Sequence, residues 1–566
     1  MKRRGCARAE SQLDFSHKDI PMHANNKQVV VVGAGPVGLT LAAELARHGI
    51  CCRIIDKAAA ASVHSKAAGV HARTMEQFRD MGVVKSVLNR GTKVIAINFY
   101  TGDRRLVRIP YDLIESAFPY EIFLAQSETE RILTDHLAGF GIAVERQWEI
   151  TRFKQTASGL VVEAKNADGR REKWKTSWLI GCDGAHSRVR QEAGLAFEGT
   201  SYTDWFYLAD VVVDWRLPNN EIQIFLHLKG VLVFFPLSAS ERRIRVVASV
   251  GGPDRTQDVT DPTIEDIQAL VSERGPGGIR VSNPEWLTTF RIHHRKVKRY
   301  QTGRVFLAGD AAHIHSPAGG QGMNTGLQDA YNLAWKLALV LQDRANPAIL
   351  DSYTTERQPV ARRVIDFTHW TTRMVMLKNP VWQTIRNHIL ARVLSRKWIQ
   401  KRVAGFLSEI DVQYGHSPIV GQDWKVWGGG LKPGARAVDA RLKAASSGEM
   451  TQLFEIGRGT AHQLLLFEGR RIGAGVLEHL AGIAKTVRSS YGDLVSAHLI
   501  VSADSEPTGI GWDGSIFFDP HNDAHACYGA EEACLYLIRP DGYVAYRSRP
   551  PEIKSLRRYL GGVYRG

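Results

Sequence analysis

Cysteine is scarce in this chain, with six residues in 566, and no two of them form a C-x-x-C pair. That argues against a disulfide-stapled scaffold and against a conventional dithiol redox centre, and a reducing cytoplasm is the simplest compartment. No apolar run approaches the ~20 residues that a membrane-spanning helix needs, so stable membrane insertion is not expected. Lys2, Arg3 and Arg4 are not followed by an apolar core, so the N-terminus is not read as a secretory signal. Acidic residues are the minority, 58 against 73 basic, leaving a net charge of +15. Such a surface can steer anionic small molecules or simply be solvated. No nucleic-acid recognition motif accompanies it, so nucleic acid is not expected as a partner. No metal site is expected either.

What is present is ordinary globular texture, 44% hydrophobic and 23% charged. The length exceeds what one core can organise, so two to four domains are expected. Residues 1–27 lack hydrophobic periodicity and read as a disordered leader. At residue 28 the texture changes. A short apolar run, 28–32, has the character of a strand buried in a parallel sheet. Gly33-Ala34-Gly35-Pro36-Val37-Gly38 follows, then Leu39, Leu41, Ala42, Leu45 and Ala46 on one helical face, then a second strand ending at Asp56. In such a βαβ unit Gly33 permits the tight turn, Gly35 admits a pyrophosphate to the backbone, and Gly38 allows close helix packing. The helix N-terminus, with Pro36 and Val37, offers amides and a positive dipole end to the pyrophosphate. Asp56 stands where a carboxylate accepts bonds from ribose hydroxyls. These residues predict a dinucleotide fold without separating NAD from FAD.

A second motif separates them. Gly303-Arg304-Val305-Phe306-Leu307-Ala308-Gly309-Asp310-Ala311-Ala312-His313 resembles the second FAD fingerprint of the flavoprotein aromatic hydroxylases, the family of p-hydroxybenzoate hydroxylase and phenol hydroxylase. The resemblance continues through Ser316-Pro317-Ala318-Gly319-Gly320-Gln321-Gly322-Met323-Asn324 and includes Leu179-Ile180-Gly181-Cys182-Asp183-Gly184-Ala185-His186-Ser187. It spans about residues 28–410. It implies an α/β chain with a Rossmann-like FAD domain of the p-hydroxybenzoate hydroxylase type and an α+β substrate domain built on a β-sheet. It also implies non-covalent FAD, NADPH or NADH as co-substrate, and O2 added at the flavin C4a to hydroxylate a small aromatic molecule. The cofactor does the hard chemistry, and the protein orients the substrate and excludes water.

The same resemblance assigns residues. Gly309 and Asp310 belong beside the ribityl chain. Gly320, Gly322, Met323 and Asn324 belong at a helix N-terminus aimed at the flavin ring, where it stabilises negative charge on the reduced cofactor. Arg73 resembles an arginine near the FAD, with a helix-start ion pair as the alternative. Gln126 resembles a glutamine that contacts FAD, with a helix cap as the alternative. Asp183 resembles a residue of the nucleotide cleft, or else shapes the turn at Gly184. The Pro317 carbonyl is assigned to face the substrate, or Pro317 simply stiffens the turn. Where relatives hold a substrate carboxylate with serine and arginine, Phe235 and Leu237 stand, and Ala68 replaces an aspartate base. The pocket is therefore expected to be apolar and to suit a larger phenolic or polycyclic compound. His227 is the candidate for substrate hydrogen bonding, and Arg243 or Arg245 for contact with NADPH phosphates.

The expected domains are 28–200 with 291–410 for FAD, 201–290 for substrate, a linker at 411–431, and a C-terminal unit at 432–566. That unit resembles the thioredoxin-like appendage of the phenol hydroxylase branch, through Arg539-Pro540-Asp541-Gly542-Tyr543-Val544-Ala545. Cys527 and Cys534 do not form a redox pair, so a structural role or a homodimer contact is expected of it. Residues 373–402 hold eight basic and no acidic side chains and read as a solvated helix face. Rival readings are Baeyer–Villiger or antibiotic-modifying oxygenation on the same scaffold, and a non-catalytic flavin sensor. A disulfide reductase lacks support because there is no second GxGxxG and no redox pair. A halogenase lacks support because Trp424-x-x-Trp427 does not match WxWxIP.

Overall fold

The computed structural model describes residues 28–62, 67–251, 260–317, 319–377, 379–424, 429–471, 475–502, 512 and 514–565. The leader expected at 1–27 lies outside the described residues.

Val29–Val32 is buried on both faces and sits in the middle of a six-stranded sheet, paired in parallel with Cys52–Asp56 on one side and Trp178–Gly181 on the other. Val305–Leu307 extends the sheet in parallel beyond Trp178–Gly181, and Val144–Arg146 extends it beyond Cys52–Asp56. Strands covered on both faces need no polar alternation, which is why Val-Val-Val-Val serves here. Helix Pro36–Arg47 packs on helix Gln321–Leu341 across this sheet. The latter is buried along nearly its whole length because the C-terminal unit covers its far side.

The substrate sheet has eight strands and is wider than residues 201–290. In order, it holds His313–Ile314, Arg280–Lys296, Glu198–Asp214, Arg243–Val250, Gly230–Ser238, Ile222–His227, Ala96–Thr101 and Arg104–Pro110. The last two strands come from the segment 28–200 that was expected to belong to the FAD domain, and Ile222–His227 joins Ala96–Thr101 in parallel. One face packs on helix Ile264–Arg274 through Ile267 and Val271. The other faces the FAD half of the molecule.

The C-terminal unit is a second eight-stranded sheet. His462–Phe467, helix Val476–Tyr491 and Val495–Val501 form a parallel βαβ, and Cys534–Ile538 and Val544–Arg549 add an antiparallel hairpin followed by helix Ile553–Val563. None of the cysteines among the described residues forms a disulfide; Cys527 lies on the surface and Cys534 is buried.

The seam between the C-terminal unit and the rest is ionic as well as apolar. Glu356 accepts from Arg539 at 2.6 and 2.9 Å, from Lys336 Nζ at 2.6 Å, from Asn332 at 2.6 Å and from Ser417 at 2.6 Å. Burial disfavours the Glu356 carboxylate, but Arg539 and Lys336 overcome this and hold its pKa well below the usual range. Around this core, Arg436 pairs with Glu76 at 2.9 Å and Arg79 with Asp439 at 3.1 Å.

Candidate active site

The two glycine motifs, 270 residues apart in the chain, meet in space. Gly33 has φ +101°, and a Cβ there would lie 2.4 Å from the Cys182 carbonyl oxygen, so only glycine fits the turn. Gly309, at φ +58°, abuts the Val37 side chain, where an added Cβ would come within 2.8 Å. The loop after Val305–Leu307 is thereby seated on the start of helix Pro36–Arg47. Gly35 caps that helix with no side-chain partner, and a Cβ on it would meet nothing within 4 Å. An uncapped helix N-terminus beside open space, with Pro36 at the first helical position, suits a phosphate. Asp56, at the end of its strand, accepts from Ala34 N at 2.7 Å and Ala58 N at 2.8 Å, which ties the glycine loop to the strand tip. Asp310 is exposed just past Val305–Leu307. Among the described residues the Gly309–Val37 contact and the Ala34–Asp56 bond bring the two glycine loops and the strand tip together, an arrangement whose donors suit a flavin dinucleotide.

The second loop is held from below by a buried ionic node. Asp329 Oδ2 accepts from Gly309 N at 3.1 Å and lies 2.7 Å from His313 Nε2, while Oδ1 accepts from Arg357 Nε at 2.7 Å. Burial would raise the Asp329 pKa, but Arg357 and His313 lower it. Gly320 caps helix Gln321–Leu341 with φ +66° and again no side-chain partner. Asn324 is fully buried and staples this helix start. Its Oδ1 accepts from His71 N at 3.0 Å and Thr74 Oγ1 at 2.8 Å, and its Nδ2 donates to Gly69 O and Gly320 O, both at 2.9 Å. Gly322 and Met323 follow in the first turn, Met323 nearly buried. The Pro317 carbonyl accepts from Gly320 N at 2.9 Å. Gln126 begins helix Gln126–Ala138, accepting from Ala67 N at 3.2 Å and donating to Glu130 at 2.8 Å.

Two expected roles are corrected, and for two residues the alternative holds. Arg73 makes the helix-start ion pair, with Glu76 at 2.8 Å, and also donates to the Asp541 carbonyl at 2.5 Å and lies 4.9 Å from the Tyr543 ring centroid, at the seam. Asp183 caps the following helix, accepting from Ser187 Oγ at 2.5 Å, Arg188 N at 2.7 Å and Val189 N at 3.2 Å, so the turn reading holds for it. His227 sits on the wrong face. Strand side chains alternate, and Leu226 points to the cleft side whereas Phe225 packs toward helix Ile264–Arg274. His227 shares the side of Phe225, near Glu273 and Arg274, with burial lowering its pKa. Arg243 is tied to Glu285 at 2.8 Å.

Phe235 and Leu237 do lie toward the FAD half. Phe235 stacks on Phe123 with ring centroids 5.9 Å apart, in a wall continued by Ile224, Val233 and Val247. The register places Arg245 directly opposite Phe235 and Asp210 opposite Arg245. These two make a bidentate pair, 2.8 Å at both contacts, beside Trp286. The sequence reading named Arg245 only for nucleotide contact and missed Asp210, although an alternating strand with one acid inward was visible at 208–212. It also missed a buried cluster below Gly320: His71 Nε2 lies 3.2 Å from Glu121 Oε1, and Glu121 Oε2 accepts from Tyr111 at 2.8 Å. Burial opposes a charge on His71, but Glu121, with Glu409 and the Leu407 carbonyl, raises its pKa to about 9.

The family model described as FAD binding domain matches residues 26–368. The chain belongs to the FAD-dependent aromatic monooxygenases. It is 33% identical over 554 residues to 6-methylpretetramide 4-monooxygenase of Streptomyces rimosus, covering 96% of this chain and 95% of that one. It is 29% identical to pentachlorophenol 4-monooxygenase of Sphingobium chlorophenolicum, over 93% of this chain and 95% of the relative. Among solved structures, the anhydrotetracycline hydroxylase of Streptomyces rimosus superposes with a TM-score of 0.72 at 28% identity, covering 95% of this monooxygenase and 99% of that chain.

Proposed function

We propose that this monooxygenase takes electrons from NAD(P)H, uses O2, and hydroxylates a neutral phenolic or polycyclic aromatic substrate. The observation that carries the reading is the wall facing the FAD cleft: it is apolar through Phe235, Leu237, Val233 and Ile224, and its ionic element is already neutralised as the Asp210–Arg245 pair. A carboxylate pressed against it would lose hydration that no free cation replaces, a cost of roughly several kcal/mol. A relative acting on 6-methylpretetramide and another acting on pentachlorophenol support the substrate class.

FAD, when bound, supplies hydride acceptance and O2 activation. The chain's own residues hold it: Gly33, Gly35, Pro36, Val37 and Gly38 around the pyrophosphate, Asp56 and Gln126 on the adenosine side, and Gly309 and Asp310 on the ribityl side. The first turn of Gln321–Leu341, with Gly320, Gly322, Met323 and Asn324, presents backbone amides to the ring, where they favour negative charge. The substrate sheet orients the aromatic ring and excludes water. Pro317 closes the turn that sets the helix start, its carbonyl accepting from Gly320 N. In the C-terminal unit, a βαβ followed by a hairpin and helix, without a cysteine pair, supports a thioredoxin-like module with no redox role. No helix among the described residues is long and apolar enough to cross a membrane.

The test compares p-hydroxybenzoate with a bulky neutral phenol and a tetracyclic phenol as stimulators of NADPH and NADH oxidation, with product mass and peroxide release measured. Stimulation and one added oxygen atom are expected with the neutral phenols. Efficient, coupled turnover of p-hydroxybenzoate would overturn the assignment of the wall. No stimulation by any aromatic compound would favour a flavin sensor, and a ring-expanded lactone product would favour Baeyer–Villiger chemistry.

A further inference from the structure

Ten large hydrophobic side chains are exposed among the described residues, and seven of them fall between positions 370 and 398. Five lie on one helix, Pro380–Leu394: Val381, Trp382, Ile385, Ile389 and Val393, exposed between 40% and 65%. Trp370 on helix Asp351–Val375 and Trp398 on helix Lys397–Leu407 flank them, at 58% and 64%. The face was expected to be solvated, and it is not built for water.

The inner side of Pro380–Leu394 is already used. Leu390, with Val375 and Met376 of the preceding segment, packs on Phe206, Leu226 and Ile292 of the substrate sheet. Arg386 anchors the helix by donating to the Met374 carbonyl at 3.0 Å and the Val375 carbonyl at 3.2 Å. A helix apolar on both sides is normally buried on both sides. One side here has no protein cover among the described residues.

The rim identifies the cover. Arg373, Arg392, Arg396, Lys397, Lys401 and Arg402 are exposed around the patch, and residues 373–402 contain no acid. Lys401 reaches Glu115 at 2.5 Å, which leaves the other five without a close acidic partner on their own helices. A second copy docked by a two-fold axis would set these cations against themselves. Three tryptophans and aliphatic residues ringed by Lys and Arg match the interfacial zone of an anionic bilayer instead, where indole rings sit among headgroups and basic residues meet lipid phosphate.

We propose that the face formed by Pro380–Leu394 and its flanking helices docks this monooxygenase peripherally on an anionic lipid surface. No segment inserts across the bilayer; the apolar stripe enters the headgroup boundary and the cations hold it there. Because these helices also roof the substrate sheet, docking brings that cleft to the lipid boundary.

The experiment uses the FAD-loaded protein and flotation on vesicles of phosphatidylcholine, with or without about one-third phosphatidylglycerol. Binding is expected with the anionic vesicles, a blue shift of tryptophan emission with it, and release as salt rises from about 0.05 to about 0.5 M. Trp382→Ser with Ile389→Ser should reduce partitioning about ten-fold or more, with flavin content and melting temperature retained. Arg392→Glu with Lys397→Glu, which removes no apolar group, should also release the protein. Vesicle binding is read without turnover, so its outcome is separate from that of the substrate assignment. Absence of binding to anionic vesicles at low salt overturns the proposal, as does binding that neither double variant weakens. A dimer in light scattering that Trp382→Ser with Ile389→Ser splits, with vesicles left unbound, would assign the face to a second copy.

Discussion

Replacing Glu356 by Gln tests whether the ionic seam holds the C-terminal unit in place. The carboxylate is fully buried and accepts from Arg539, Lys336, Asn332 and Ser417 at 2.6–2.9 Å. Gln keeps the shape, but it removes the charge that balances two buried cations. Arg539 retains Asp541, with bonds at 2.9 and 2.5 Å, whereas Lys336 retains only the Asn332 oxygen at 2.9 Å. Breaking a buried pair by removing one partner costs about 3–5 kcal/mol. Lys336 limits the loss, because burial already lowers its pKa to about 8 and Glu356 is the main group raising it. Without Glu356 the amine loses its proton near neutrality rather than remain charged and unpaired. The sign follows from linkage: the unfolded lysine titrates near ~10.4, so the unfolded state binds more protons and stability rises with pH from the folded pKa upward. In the variant this window opens below pH 8, so its deficit against the parent is largest in mild acid and shrinks toward about pH 8. Urea unfolding followed by flavin fluorescence and far-UV dichroism at several pH values reads this directly. A deficit below about 1 kcal/mol at pH 6, or one independent of pH, would refute the reasoning.

Two further outcomes are expected. His71, raised to about 9 in the fold against ~6.5 unfolded, contributes stability that is complete below pH ~6.5 and lost as pH rises through about 9. The contribution is at most about 3 kcal/mol, and His71→Gln should flatten that part of the stability–pH curve; an unchanged curve would show that Glu121 does not hold the proton on His71. Asp310→Ala should weaken FAD retention by roughly 1.5–3 kcal/mol through loss of a charge-assisted hydrogen bond, and isothermal titration of apoprotein with FAD would expose an unaffected Kd.

The parts of the site legible in the sequence are those whose signal is local. Val29–Val32, the turn at Gly33 and helix Pro36–Arg47 announce themselves because burial on both faces, a left-handed turn and helical periodicity each leave a mark within a few residues. The long helix after Gly320 reads equally well. What failed depends on register or on partners far along the chain. His227 was placed on the cleft side although its side chain falls with Phe225, and a one-residue difference in a strand exchanges the faces. For Arg73 the helix-start pair with Glu76 was legible, but its second acceptor, the Asp541 carbonyl, is 468 residues away. Ala96–Thr101 and Arg104–Pro110 fell within the span expected for FAD because they complete the substrate sheet from outside its own expected span. The 380–394 helix was legible as basic, but composition alone does not say which apolar residues face outward.

The distant contacts also explain why a C-terminal unit without a cysteine pair matters to a flavin site. Tyr543, on the hairpin of that unit, packs its ring 4.3 Å from Tyr414, and the Tyr414 hydroxyl accepts from Arg357 Nη1 at 2.8 Å. Arg357 in turn bonds Asp329 through Nε and the Thr325 carbonyl through Nη2, and Asp329 holds Gly309 N. The C-terminal hairpin is thus four contacts from the loop that carries Asp310. Arg357 and Asp329 are both fully buried, so neither can turn to water if the chain above them is displaced. A buried charge deprived of its geometry is costly, and the loop rests on this node together with the Val37 contact, the bond from Ala308 N to the Gly181 carbonyl and the bond from Arg190 Nη1 to the Ala311 carbonyl. The unit is therefore linked to that loop through Tyr414, Arg357 and Asp329, by packing and charge.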